Sequence, residues 1–529
     1  MLLIHPPVAK AGEPPAGIAQ LAGNLRYHGI PCTLLDANLE GMLYLLDQAR
    51  DPEDTWSTRA LRHRDAHLAA LRTPAVYHNT DRYQRAVRDL NRVLEMGART
   101  HPEVAVSLAN YQDNSANPLD SRDLLRAAED YQHNLFFPWF RQRLPALLEA
   151  ASPQYIGISL SYLSQALCTF ALLGFLKACF PQAQLILGGG LITSWMSSPD
   201  WHDPFVGLVD HCIKGPGEAP LLKLLGVDNP TEDLQPDYME LPGSCYLAPG
   251  PILPYAASRG CYWNKCSFCP ETAEQSRYRP IAPATVLAHL QGLRAQIRPV
   301  LLHLLDNALS PALMQALGDN PPGVPWYGFV RVHELLADAD FCRRLRSSGC
   351  VLLKLGLESG SQSVLDAMDK GIHLDLVERV LTALRQAGIA TYVYLLFGTP
   401  SESVIEARQT LDFTIRHHQA ITFLNLAIFN MPRASEEAEQ LPGGEFSEGD
   451  LSLYRDFNHP RGWDRRSIRT FLDREFKRHP TIGAIIRRDP PLFTSNHAAF
   501  FSEAFPWPDA PGNLKEGCKP YFGAEKNRF

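Results

Sequence analysis

The chain has 529 residues, more than one hydrophobic core ordinarily serves, so two to four domains are expected. Apolar residues make up 45% of it and charged residues 20%, which excludes a largely disordered chain. A formal net charge of −7 is small for this length and excludes a chain-wide attraction to nucleic acid or to an anionic membrane.

The first residues, Met-Leu-Leu-Ile-His-Pro-Pro, are too short an apolar stretch for a signal peptide and lack its cationic flank, so they read as a strand, Leu2 to Ile4. No run approaches the roughly 18 apolar residues of a membrane span, and a cytoplasmic protein is expected. A Pro/Gly loop, a helix over Ile18 to Tyr27 and a strand ending at Asp36 follow, a β–α–β opening. From about 45 to 145 the chain is rich in Arg, Asp, His and Gln, with helical spacing around Leu90, Val93 and Leu94, and reads as a helical insertion or lid. Strand and helix alternate again from Tyr155, through a long apolar helix to Cys179, the triplet Gly188–Gly190, a short strand from Cys212 to Lys214, and a helix from Glu218. These elements predict a doubly wound, Rossmann-like sheet over residues 1–228.

Residues 229–252 are Pro-rich and acidic without sustained periodicity, and predict a linker. Six short apolar strands then alternate with amphipathic helices, near Tyr255, Leu301, Trp326, Val351, Thr391 and Phe423. They predict a partial (β/α)6 barrel over 253–432, with its site at the C-terminal strand ends. Residues 433–529 are less regular and predict a mostly helical cap, in which Trp463 to His497 is a candidate docking region; Arg465, Arg466, Arg469 and Arg474 there also fit a solvated helix face.

Eight of the 11 cysteines are scattered singly and read mostly as buried thiols, but Cys261, Cys266 and Cys269 lie within nine residues on the loop after the first barrel strand. Three thiolates on one loop can hold three irons of a four-iron cluster and leave the fourth open to a ligand. A structural zinc site is the alternative, but it ordinarily takes paired C-x2-C motifs, and only one such pair occurs here. The region from about 253 to 432 resembles the radical S-adenosylmethionine (SAM) superfamily: the cysteines follow strand one, and Phe268 supplies the aromatic residue usual before the third. Four residues, Tyr262 to Lys265, separate the first two cysteines, where the common spacing in that family is three.

The fourth barrel strand, Leu353-Lys-Leu-Gly-Leu-Glu358-Ser359, alternates so that Lys354, Gly356 and Glu358 share one face and the leucines the other. The resemblance implies a SAM site built from Phe268, Asp306, Glu358, Ser359 and Gly398. Glu358 would bind the ribose hydroxyls or amino group, Asp306 would face the methionyl ammonium, and Gly398 would let backbone approach the adenine. An ordinary strand-to-helix turn capped by Ser401 is the other reading of the Gly398 segment. His303 and Arg331 either line the substrate cavity or are structural.

A doubly wound sheet before such a barrel resembles the cobalamin-binding subclass of the superfamily. The residues implied for cobalamin are Ser159, Ser161, Ser164, Gly188, Gly189, Gly190, Gly215 and Glu218. No D-x-H-x-x-G string occurs, so no histidine ligand to cobalt is expected. A scaffold sheet without cofactor is the alternative. The family implies reductive cleavage of SAM at a 4Fe–4S cluster to a 5′-deoxyadenosyl radical. The subclass favours cobalamin-dependent methylation of an unactivated carbon of a small molecule or peptide; a cobalamin-independent peptide maturase or rearrangement enzyme is the alternative. A flavodoxin- or ferredoxin-type donor is implied as partner. A transfer-RNA methylthiotransferase fits less well, because Cys32 is the only cysteine in the first 160 residues.

Overall fold

The computed structural model describes residues 1–443, 448–490 and 497–504. Two all-parallel sheets organise it. The first holds β1 (Leu2–His5), β2 (Thr33–Asp36), β3 (Tyr155–Ser159), β4 (Gln184–Gly188) and β5 (His211–Cys212) in the order β2-β1-β3-β4-β5. The chain runs from β1 outward to β2, then returns to place β3 on the other side of β1. Ligands of doubly wound sheets bind in the crevice such a reversal opens at the strand C-termini. The last strand is shorter than expected and ends at Cys212.

The insertion begins directly after β2, where Asp36 accepts from the Leu39 N–H at 2.9 Å and caps a helix over Ala37–Gln48. Three more of its helices span Thr55–Leu71, Thr80–Gly97 and Ser121–Glu129, and a fourth spans Phe137–Ala151. The helix Leu163–Cys179 is buried almost all round, which is why it reads as apolar without a stripe. A Cβ on its Gly174 would meet the Ala128 carbonyl oxygen at 1.8 Å, so the insertion covers that helix in backbone contact. The segment is helical, as an insertion or lid there would be. Its aromatic end lies beneath the second sheet: Tyr77 and Tyr83 pack on Phe500, and the same short segment sets His497 and Phe501 against Tyr392 and Phe423 near the N-terminal ends of their strands.

The second sheet holds β6 (Ile252–Tyr255), β7 (Leu301–Leu304), β8 (Trp326–Val330), β9 (Cys350–Glu358), β10 (Ala390–Phe397) and β11 (Phe423–Ile428), paired in simple chain order. This is the (β/α)6 succession expected, open between β6 and β11. On β9 the leucines 353, 355 and 357 are buried on the helix side, and Lys354, Gly356 and Glu358 take the inner face. No helix or strand forms between Leu224 and Ile252, yet this stretch is laid along the first helix, Ala16–Tyr27: Arg26 pairs with Asp237 and Glu240, and the Asp237 N–H donates to the Ala19 carbonyl. Of the scattered cysteines, Cys168, Cys245, Cys342 and Cys350 are buried, Cys32 and Cys212 half-buried, and Cys179 exposed; Cys518 lies outside the described residues. Among the described residues no helix is long and apolar enough to cross a membrane.

Candidate active site

The loop carrying Cys261, Cys266 and Cys269 leaves the C-terminal end of β6. It turns at Asn264, whose φ of 46° lies in the left-handed region that Asn tolerates, and this turn absorbs the extra residue between the first two cysteines. The loop is docked rather than free. The Ser267 N–H donates to the Met368 carbonyl at 3.1 Å and the Trp263 indole N–H to the Asp369 carbonyl at 2.8 Å. The Arg331 guanidinium lies 4.3 Å from the centre of the Trp263 ring, sets one nitrogen 3.9 Å from the Cys266 sulfur, and donates with the other to the Lys370 carbonyl. Burial raises the Cys266 thiol above its ordinary value, while Lys370 and Arg331 pull it down; burial raises Cys269 too, against the N–H groups of Thr272 and Glu271.

Among the described residues, no three or more His, Cys, Asp or Glu converge as the ligands of a single ion would. Three thiols, one donor-set chemistry and two adjacent cations fit an iron–sulfur cluster.

Around this loop the sequence-expected SAM residues divide. Glu358 stands at a φ of 69° and folds back over Gly356 to accept from Lys370 at 2.8 Å; a Cβ on Gly356 would lie 2.7 Å from that carboxylate and 2.9 Å from the ammonium. The same ammonium sits 5.5 Å from the centre of the Phe268 ring, so Lys370 joins Phe268 to Glu358. Asp306 is buried and accepts from the Ser258 hydroxyl and, at 3.1 Å, the Ala257 N–H, bracing the chain just before Cys261. Burial raises its carboxyl, and these hydrogen bonds oppose the rise. Ser359 does not join them: it is fully buried with its hydroxyl 3.1 Å from that of Thr410. Gly398, at a φ of 85°, gives its N–H to Glu402, and a Cβ there would meet Ile468 at 2.3 Å. The helix after it is capped by Ser403, with Glu406 completing a capping box, and not by Ser401.

A cavity of about 1190 Å³ runs from the C-terminal ends of the first sheet to the cysteine loop. Ser159, Ser161, Gly188, Gly189, Gly190, Gly215 and Glu218 all line it, together with Ser258, Arg259 and Gly260. Ser164 is not among the lining residues; its hydroxyl donates to the Val8 carbonyl at 2.8 Å. Gly189 is required as glycine, with a φ of 108° and a Cβ position 2.4 Å from the Leu160 carbonyl oxygen. Arg259 and Glu218 form an ion pair across the cavity wall, one from each sheet's loops, with one contact at 2.8 Å. A glycine-lined crevice of this size fits a large flat cofactor such as cobalamin.

Sequence reasoning missed Lys370, Trp263 and Glu13. Lys370 stands in an Asp-Lys-Gly turn and Glu13 in a Pro/Gly loop, and neither carries a local signal; only the fold brings Glu13 to His303, with contacts of 2.8 and 3.0 Å.

Residues 255–414 match the Radical SAM superfamily. The chain is 28% identical over 176 residues to bacteriochlorophyllide d C-12(1)-methyltransferase of Chlorobaculum tepidum, a match covering 31% of this chain and 38% of that protein. It therefore spans about two fifths of the length of that relative. Among solved structures it resembles the radical SAM methyltransferase TsrM of Kitasatospora setae in two forms, both at 16% identity. With cobalamin and a [4Fe-4S] cluster bound, the TM-score is 0.51, covering 84% of this chain and 75% of that one. With tryptophan and a SAM analogue, it is 0.52, covering 92% and 89%. This second likeness is one of fold, and it extends over both sheets. With the cysteine loop following β6 and the match running from β6 to β10, residues 255–414 form a radical SAM domain.

Proposed function

We propose that this chain cleaves SAM reductively at a 4Fe–4S cluster held by Cys261, Cys266 and Cys269, and uses cobalamin seated in the glycine-lined cavity to methylate an unactivated carbon of a small molecule or peptide. The observation that carries this reading is the shared wall: one cavity is lined both by the glycine-rich strand ends of the first sheet and by the residues that open the cysteine loop. A cluster held by Cys261, Cys266 and Cys269 would supply an electron, and cobalamin held in the glycine-lined cavity would supply methyl transfer.

The chain's own residues do the rest. Arg331 and Lys370 set positive charge against the Cys266 sulfur, which favours its ionised form. Glu358, held by Lys370, presents a carboxylate to the ribose hydroxyls or amino group of SAM, beside Phe268. Asp306 fixes the start of the cysteine loop. Burial of these groups keeps water from the reacting centre. The electron comes from a low-potential flavodoxin- or ferredoxin-type donor, and the cytoplasm is the compartment proposed.

The test is anaerobic reconstitution with iron, sulfide and hydroxocobalamin, followed by iron analysis, the cobalamin spectrum and assay of 5′-deoxyadenosine under reduction. About four irons per chain, lost in the Cys261→Ala, Cys266→Ala and Cys269→Ala variants, are expected together with retained cobalamin. Zinc without iron overturns the proposal. Iron and cleavage without cobalamin reduce the first sheet to a scaffold and favour the cobalamin-independent maturase or rearrangement.

A further inference from the structure

The inner face of the second sheet carries an ammonium that the cluster and SAM residues leave unused. Lys354, midway along β9, is 2% exposed, and among the described residues it has no hydrogen bond or ion pair. Its ammonium is held over two rings instead, 5.1 Å from the centre of Tyr327 and 4.9 Å from that of Phe329. The nearest carboxylate, Glu13, comes from the loop after β1 and is engaged by His303, which itself stacks on Tyr327 at 4.3 Å.

The titratable groups facing this point are few. Burial lowers His303 against the pull of Glu13, leaving the ring neutral. Burial raises Glu13, but His303, Lys354 and Lys10 outweigh it and hold it ionised. Burial draws Lys354 down to about 8 and Lys10 below its ordinary value, with Glu13 opposing both. Lys10 is exposed, so the enclosed charges here are Lys354 and the half-buried Glu13; Glu13 is already engaged by His303, and a buried cation without a contacting anion is costly.

Toward the cysteine loop the inner face of the sheet is less completely buried. Phe329, Gly356, Tyr394 and Asn425 are half-buried there, and Phe329 and Tyr394 lie 4.9 Å apart as a ring-lined wall. Four residues on, along the same face and at roughly 13 Å by the strand rise, stands Glu358.

We propose that Lys354 anchors the anionic group of the substrate, a small aromatic carboxylate whose ring lies against Phe329 and Tyr394 and whose far end points up the lumen toward Glu358. The assignment rests on the radical SAM reading for the reaction, but the binding itself does not need the cluster. The probe pair is 2-naphthoate and the uncharged 2-naphthamide, titrated calorimetrically into the anaerobically reconstituted full chain. The acid is expected to bind at least about tenfold more tightly than the amide. Lys354→Met and Lys354→Gln are expected to abolish that preference, and Lys354→Arg to keep it within about threefold, all with unchanged iron content and cooperative unfolding. Equal binding of acid and amide, binding of neither, or a preference that survives in the neutral variants overturns the assignment. If the neutral variants do not fold, the acid-to-amide ratio of the unaltered chain decides. Loss of the iron count instead strikes the cluster reading and leaves this one to the binding result.

Discussion

Glu402 is fully buried, accepts from the Gly398 N–H and, at 3.3 Å, from the Trp463 indole, and keeps its other oxygen without a partner among the described residues. Burial first, and then Glu406, push its carboxyl up to about 7. The folded chain therefore binds a proton that the unfolded chain has released between its ordinary value and about pH 7. Stability must fall as pH rises through that window, by up to roughly 3 kcal/mol for this one group. Chemical denaturation between pH 5 and pH 8 checks this, and Glu402→Gln is expected to flatten the slope. At Gly356 the expectation concerns binding. Gly356→Ala drives a methyl group between Glu358 and Lys370 and costs about 1–3 kcal/mol if the pair moves aside. SAM affinity, read by calorimetry, should drop about tenfold while the iron content holds.

At the scale of elements, the cysteine loop is positioned by the turn after β9 as much as by β6. A Cβ on Gly371 would lie 2.0 Å from the Trp263 ring, so Gly371→Ala must displace the indole and with it the stacked Arg331. Iron content after reconstitution is expected to fall well below that of the unaltered chain, whereas Gly388→Ala, where nothing lies within 4 Å, should leave it unchanged and lose only some stability to its φ of 72°. The strands and the cysteine motif were legible in the sequence because period-two alternation and thiol spacing are local. Lys354, Gly356 and Glu358 fell on one face as the alternation predicted. Where the Ser359 and Ser164 hydroxyls point was not legible, because a hydroxyl between a strand and the following helix gives no sign of whether it faces a crevice or its own neighbours. The insertion's packing partners were hidden for a related reason: its amphipathic pattern tells which face is buried but not against what.

At the scale of the whole molecule, the two sheets are tied by side chains that cross between them. Arg259 from the cysteine loop pairs with Glu218, and His303 on β7 with Glu13. Arg259→Ala is expected to weaken cobalamin retention without loss of iron, which gel filtration followed by the visible spectrum resolves, since Glu218 then loses its partner at the wall of the cavity. The short segment 497–504 works the same way from the opposite end, wedged between the insertion's Tyr77 and Tyr83 and the barrel's Tyr392 and Phe423.

The reach of Glu13 into the lumen of the second sheet has a consequence for any attempt to exchange modules. One charged group inside the barrel of this chain is carried some 240 residues upstream of its first strand, roughly the span from the first loop to β6. A hybrid joined at the linker would inherit a foreign loop at that position, and with it a different charge at the floor of the reaction chamber. On the proposal made for Lys354, recombination between relatives would change specificity even where every strand of the barrel was preserved, because the first module supplies Glu13.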